Sequence, residues 1–261
     1  MVDEGIFDLS GKVVLVTGGG SGLGRSMCKA MAEYGADVVC VGRTTKKIEE
    51  TIDLIKGYGT KTMAITADVA DQAQIEKMVA QTVKQWGTID VVFANAAIRE
   101  IGFQRIHEKP VEDWDIVIDA NLRSVFLLMR VIFPLFLKKK GGNFISVSSL
   151  GGLWPIADHD FPKLNTAYSV AKAGVIMLTK LAARQYSKDN IRVNAICPGY
   201  HRSGLTPPEE LEAFEAELIP HIPMGRAAEA DEIKGLAIWL ASDASSYVTG
   251  QMVIEDGGVY A

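Results

Sequence analysis

Tyr168 and Lys172 stand four residues apart in Tyr168-Ser169-Val170-Ala171-Lys172. On a helix that spacing puts both side chains on one face. A free phenol titrates near pH ~10, so a tyrosine that moves protons near neutrality needs a fixed cation beside it. An ammonium under the ring would favour the ionised phenol, which makes the pair a candidate acid/base engine. The same spacing also describes a half-buried helix with a snorkelling lysine, so the reading rests on what accompanies it.

Two further stretches have the types and positions to hold a dinucleotide. Thr17-Gly18-Gly19-Gly20-Ser21-Gly22-Leu23-Gly24 follows a β-branched run and opens a helical one. Glycines there permit a tight turn and let a pyrophosphate approach backbone amides at the positive end of a helix. At the end of the next β-branched run stands Val41-Gly42-Arg43-Thr44. An acid in that place would bond the ribose hydroxyls and repel a phosphate, whereas a small residue followed by arginine favours NADP(H), with NAD(H) still possible.

The elements that must position these residues alternate regularly. Strands are expected at Val13–Thr17, Asp37–Val41, Thr62–Thr66, Ile89–Ala94, Asn143–Val147, Arg192–Cys197 and Met252–Glu255. Between and after them, helices are expected at Gly22–Tyr34, Thr45–Tyr58, Asp71–Trp86, Val111–Leu137, Thr166–Ser187, Glu209–Leu218 and Glu229–Leu240. This pattern predicts an α/β fold, a doubly wound parallel sheet with helices on both faces in three layers, as a single domain over 1–261. Function then belongs in the loops at the carboxyl ends of the strands.

Composition narrows the class. A chain of 261 residues, 48% hydrophobic with a net charge of -5, can bury one large core and has no basic surplus for nucleic acid. Lys138-Lys139-Lys140 ends an apolar helix, where cations complement the dipole. Three widely spaced cysteines, Cys28, Cys40 and Cys197, suggest neither disulfides nor zinc and fit a reducing, cytoplasmic setting. The N-terminus carries no signal-peptide pattern. Val125–Leu137 is interrupted by Arg130 and Pro134 and is too short to span a bilayer, so no membrane role is expected.

Taken together, the sequence resembles the short-chain dehydrogenase/reductase family over essentially its whole length. Thr17, Gly18, Gly22 and Gly24 match the family's Thr-Gly-x-x-x-Gly-x-Gly motif, and Tyr168 and Lys172 its Tyr-x-x-x-Lys motif. Asp68-Val69 matches a pair that contacts adenine, and Asn95-Ala96-Ala97 matches Asn-Ala-Gly with the glycine replaced by Ala97. Arg192-Val193-Asn194 and Pro198-Gly199 match the segment that closes over nicotinamide; Gly225-Arg226, Val248-Thr249-Gly250 and Asp256-Gly257-Gly258 match the C-terminal end. The resemblance implies a catalytic set of Asn121, Ser149, Tyr168 and Lys172. Ser149-Leu150-Gly151-Gly152 fits the family's serine pattern better than Ser148, which stays in reserve, with Ser146 just before it. It also implies hydride exchange between the dinucleotide and a small-molecule alcohol or ketone, with Tyr168 as acid/base, Lys172 lowering its pKa and Asn121 positioning a water. The alternatives are a 3-oxoacyl thioester reductase and a non-catalytic dinucleotide-sensing or scaffold protein. An enoyl reductase is expected to space its tyrosine and lysine more widely.

Substrate and assembly are less sharply written. Arg99, Arg105, His107, His201 and Arg202 follow strands and could face a carboxylate, phosphate or hydroxyl-rich substrate, hence a sugar acid or polyol. Residues 150–165 are longer than the family norm and are expected to form a flap, including Trp154, Pro155, Asp158, His159, Asp160 and Phe161; no metal is expected at Asp158-His159-Asp160. Residues 200–224 read as a substrate lid. Surplus apolar residues at Val125, Phe126, Leu128, Met129, Ile132, Val175, Ile176 and Leu178 suggest an isologous four-helix interface between the 111–137 and 166–187 helices of two copies, and the resemblance implies a homotetramer that adds a second contact at Gly250–Ala261.

Overall fold

The computed structural model describes residues 4–100, 102, 104–154 and 165–261. Seven runs pair into one parallel sheet: β1 (Val13–Thr17), β2 (Asp37–Gly42), β3 (Thr62–Thr66), β4 (Val91–Ala94), β5 (Gly142–Val147), β6 (Ile191–Pro198) and β9 (Met252–Glu255). Their order is β3-β2-β1-β4-β5-β6-β9, so it reverses between β1 and β4 and opens a crevice at their carboxyl ends. Outside the sheet, β7 (His201–Arg202) pairs with β8 (Ala228–Glu229).

Both faces of the sheet are apolar because alternate residues of each strand bury on opposite sides. Val14 and Val16 pack with Met27, Ile48 and Ile238, on α1 (Gly22–Glu33), α2 (Thr45–Ile55) and α8 (Lys234–Ala241). Val13 and Leu15 face the other way, onto Met78, Ile132 and Val175 of α3 (Gln72–Trp86), α5 (Ser124–Lys139) and α6 (Thr166–Tyr186). Burial of each such aliphatic side chain contributes about 1.5–3 kcal/mol, so the strands that carry the loops at the crevice are anchored from both faces.

Element types follow the sequence pattern, and the departures are physical. The helix expected over Val111–Leu137 is divided into α4 (Val111–Ile118), a π-helical turn at Asp119–Arg123, and α5. The segment expected as a helix from Glu229 begins as a 3-10 turn at Ala230–Ile233 before α8. Of the residues read as surplus on the long helix and α6, Val125, Leu128, Met129, Ile132, Val175 and Ile176 are core and Leu178 packs against it, whereas Phe126 is exposed. The exposed apolar stripe of α6 is instead Val170, Met177 and Leu181. The expected 150–165 flap lies mostly outside the described residues, with Pro155, Asp158, His159, Asp160 and Phe161. Of it, Trp154 is exposed and Leu150–Gly152 form a 3-10 turn. The expected lid contains α7 (Pro208–Leu218). No described helix is long and apolar enough to cross a membrane.

Candidate active site

The glycine-rich loop passes from β1 to α1 at the crevice. Gly18 and Gly22 have φ of 68° and 50°, in the region that costs other residues strain. A Cβ on Gly24 would lie 2.2 Å from the Gly18 carbonyl oxygen, and one on Gly22 2.3 Å from that of Ser203. The loop's carbonyls are held from behind: Arg25 Nη2 donates to Gly20 O at 2.6 Å, and Thr51 Oγ1 donates to Gly19 O at 3.0 Å. Carbonyls turned away leave the first amides of α1, beginning at Ser21, for an anion. The role of Thr51 was invisible in the sequence, because its partner lies 32 residues away on another element.

At the end of β2 is a cavity of about 210 Å³ lined by Arg43, Thr44, Lys47, Asp68 and Val69, among others. Arg43 is exposed and makes no hydrogen bond or ion pair with any described residue. Asp68 Oδ1 accepts from Ala70 N at 3.0 Å, which fixes that carboxylate in the wall. The cavity shares Gly18, Ser21, Ala96 and Ala97 with a cleft of about 750 Å³ that also takes in Leu23, Asn95, Ser148, Ser149, Tyr168, Lys172, Pro198 and Gly199. The Ala97 methyl is thus part of the cleft wall where the family pattern has none.

The inner end of the cleft brings the three polar groups together. Lys172 is buried beneath Tyr168, its Nζ 5.5 Å from the ring centroid, and donates to Val147 O at 2.9 Å. Burial brings its pKa down to about 8, against an upward pull from the Cys197 thiol. Burial also pushes the half-buried Tyr168 phenol up, and a hydrogen bond with the Ser149 side chain pulls it back. The expected lowering by Lys172 does not set the direction in the protein alone; desolvation, opposed by Ser149, does. Ser148 continues the strand, with N donating to Ile196 O at 2.8 Å and Oγ to Lys172 O at 2.8 Å. Ser149 leaves the strand, caps the 3-10 turn by accepting from Gly151 N at 3.1 Å, and meets the phenol. Ser146 is turned to Thr179 inside the core.

Asn121 and Thr17 bond to the backbone around the site. Asn121 is fully buried; its Oδ1 accepts from Ile98 N at 3.3 Å, and its Nδ2 donates to Ile98 O at 3.1 Å and Val117 O at 2.9 Å. With its amide bonded to both backbone groups of Ile98, the side chain holds the loop after β4. Thr17 is also fully buried and does not line the cleft. Its Oγ1 donates to Phe93 O at 3.2 Å and accepts from Asn95 N at 3.0 Å and Ala96 N at 3.1 Å, tying β1 to β4 behind the site.

The expected substrate cations are engaged within the chain. Arg99 forks onto Glu210 of α7 at 2.7 and 3.1 Å, and Arg202 bonds Glu215 and Glu229, each at 2.7 Å. His201 is buried, with Nδ1 3.2 Å from Gly199 O and Nε2 3.6 Å from Glu255 Oε1. Arg105 and His107 belong to an exposed turn outside the cleft lining. Among the described residues, no group of three or more His, Cys, Asp or Glu could hold a metal.

Known proteins resemble this chain over nearly its whole length. A family model described as enoyl-(acyl carrier protein) reductase matches residues 18–260. A 3-oxoacyl-[acyl-carrier-protein] reductase of Thermotoga maritima is 36% identical over 252 residues, covering 96% of this chain and 98% of its own. An NADP-dependent mannitol dehydrogenase of Alternaria alternata is 38% identical over 259 residues, covering 97% and 94%. The crystal structure of a short-chain type dehydrogenase/reductase from Mycobacterium marinum superposes with a TM-score of 0.92 at 34% identity, covering 98% of each chain. Sheet order, glycine cradle and matches of this extent lead to one conclusion: the chain belongs to the short-chain dehydrogenase/reductase family of oxidoreductases, whose members use NAD(P).

Proposed function

We propose that the protein interconverts a secondary alcohol and a ketone, with Tyr168 exchanging the proton on the substrate oxygen. The observation that carries this reading is the convergence of the Ser149 hydroxyl, the Tyr168 phenol and the Lys172 ammonium at the inner end of one cleft. The glycine cradle, the open amides of α1 and the unpaired Arg43 suit a dinucleotide, which when bound supplies or accepts the hydride. Ser149 donates to the substrate oxygen, and the raised pKa of Tyr168 keeps its proton available for a ketone at neutral pH. Lys172 sits behind the phenol as the charge that steadies it when the proton leaves.

For the substrate, a polyol or its ketose is favoured over a sugar acid, because the Arg99 and Arg202 guanidiniums are occupied by Glu210, Glu215 and Glu229. The mannitol dehydrogenase relative agrees with that class. A screen of NADP(H) and NAD(H) against polyols, ketoses, sugar acids, cyclic ketones and 3-oxoacyl thioesters tests it. Turnover of the thioester alone would replace the substrate assignment, as the Thermotoga relative's name suggests. Dinucleotide binding with no turnover of any member would replace the enzyme reading with that of a sensor.

NADP(H) is the favoured cofactor, since the end of β2 offers a free guanidinium and no carboxylate. Arg43→Ala is expected to weaken NADPH about 10-fold or more while leaving NADH within about 3-fold, the difference expected of one charge-assisted hydrogen bond. Equal losses in titrations of both would reduce Arg43 to a stacking surface.

Assembly as a homotetramer is proposed on the exposed apolar residues of two neighbouring helices and the C-terminal end. Val170, Met177 and Leu181 recur along one face of α6, with Ile116 and Phe126 on the α4–α5 helix and Met252 and Tyr260 at the end of the chain. Met177→Glu should convert the assembly to smaller species in light scattering at micromolar protein. A wild-type protein that is fully active as a monomer would rule the assembly out.

A further inference from the structure

Glu100 is a buried carboxylate in the loop after β4, and its two oxygens go to different elements. Oε2 accepts from Tyr168 N at 2.9 Å, and Oε1 lies 2.6 Å from Lys109 Nζ. Only 1% of the Glu100 side chain and 4% of the Lys109 side chain are exposed. Lys109 also donates to Gln104 Oε1 at 3.0 Å, and Pro110, directly after it, caps α4.

The first turn of α6 leaves backbone N–H groups without helical partners. Asn165, at the N-cap, supplies no side-chain bond there, although its carbonyl accepts from Ser169 N. Glu100 reaches across from another loop to satisfy the N–H of Tyr168 itself, and its negative charge suits the positive end of the helix. Two residues earlier in the same loop, Ile98 is held by Asn121 through both its backbone groups. A strut therefore runs from the π-helical turn through Ile98 and Glu100 to the backbone of the residue whose phenol meets Ser149.

We propose that Glu100 is a positioning residue for Tyr168, fixing the first turn of α6 so that the phenol keeps its distance to Ser149 and the substrate oxygen. Lys109 neutralises the carboxylate so that it can be buried at that place. The proposal rests on Tyr168 being the proton donor. Small errors in the placement of a reacting group are costly, so the effect should appear in kcat.

Removing one partner would leave the other as an unpaired buried charge and confuse positioning with folding. Two double variants avoid this. Glu100→Gln with Lys109→Met keeps an oxygen that can accept from Tyr168 N; Glu100→Ala with Lys109→Met does not. The first is expected to keep kcat within about 3-fold of wild type and the second to lose about 10-fold or more. The dinucleotide Kd should match between the two, while the alanine variant melts lower because the Tyr168 N–H has lost its acceptor. Equal kcat values, whether both high or both low, overturn the proposal, as does a loss of dinucleotide affinity confined to the alanine variant. Should either double variant fail to fold, Glu100→Asp keeps the charge facing Lys109 but shortens its reach to Tyr168 N. It is expected to lose about 10-fold in kcat at unchanged dinucleotide Kd, and full activity there overturns the proposal as well. Tyr168→Phe, run alongside, separates the two levels: if it stays active, the proton-donor reading has failed and not merely its support.

Discussion

Tyr168→Phe is expected to bind the dinucleotide as tightly as wild type and to turn over at no more than about a hundredth of its rate. The substitution removes one hydroxyl from a half-buried ring and leaves the Lys172 contact with Val147 O untouched. It also deletes the exchangeable phenolic proton, and positioned proton transfer is worth about 10²-fold or more. The pH dependence carries the sign. Because burial raises the phenol's pKa, the group is protonated at neutral pH, the form that reduction requires. Reduction should be level near neutrality and fall as pH climbs through the phenol's pKa, while oxidation rises over the same range. Steady-state rates in both directions against pH, with dinucleotide binding followed separately, measure this; activity above the stated level in the phenylalanine variant would sink the assignment.

Lys172→Met is expected to abolish turnover and yet to raise thermal stability at pH 7. The folded-state pKa of about 8 against an ordinary 10.5 means that the folded protein binds this proton less readily than the unfolded chain does. The cost of burying the charge is therefore fully present below about 8, fades as pH rises from there towards 10.5, and is gone above it. That gap sets an upper bound on the order of 3 kcal/mol, and losing the bond to Val147 O takes back about 1 kcal/mol. A gain of a few degrees in Tm should thus be seen at pH 7 and shrink as the solution is made alkaline. Calorimetry across that range checks it, and a destabilised variant at neutral pH would show that the ammonium is held by more than the single bond seen here.

Legibility in the sequence followed distance along the chain. Tyr168 and Lys172, the turn from Gly18 to Gly24 and the buried strands are written in local spacing, and the structure places them accordingly. What went unread joins residues far apart: Thr51 to Gly19, Tyr168 to Glu100, Arg99 to Glu210. The pairing of Arg99 and Arg202 went unread for that reason, since a guanidinium looks free until the carboxylate opposite it is known. Exposed and core apolar residues on α5 and α6 were likewise indistinguishable, because both faces of those helices are rich in them. What distinguishes Ser148 from Ser149 lies at the end of β5, where both line the cleft but Ser148 bonds the α6 backbone and Ser149 caps the turn that follows.

The π-helical turn makes the polar hook at Asn121 a matter of chain length as much as of residue type. In an unbroken α-helix the Val117 carbonyl belongs to the backbone N–H four residues on; here the Asn121 side chain donates to it. Each added residue advances a helix by about 100°, so one extra residue sets α4 and α5 out of phase by that angle and lets each present its own buried side. Loss of a single codon at Ala120 would heal the ladder into a more regular helix and at the same stroke swing the hook away from Ile98. Along this stretch an insertion or deletion changes the site more than most substitutions could, and regularity is the defective state.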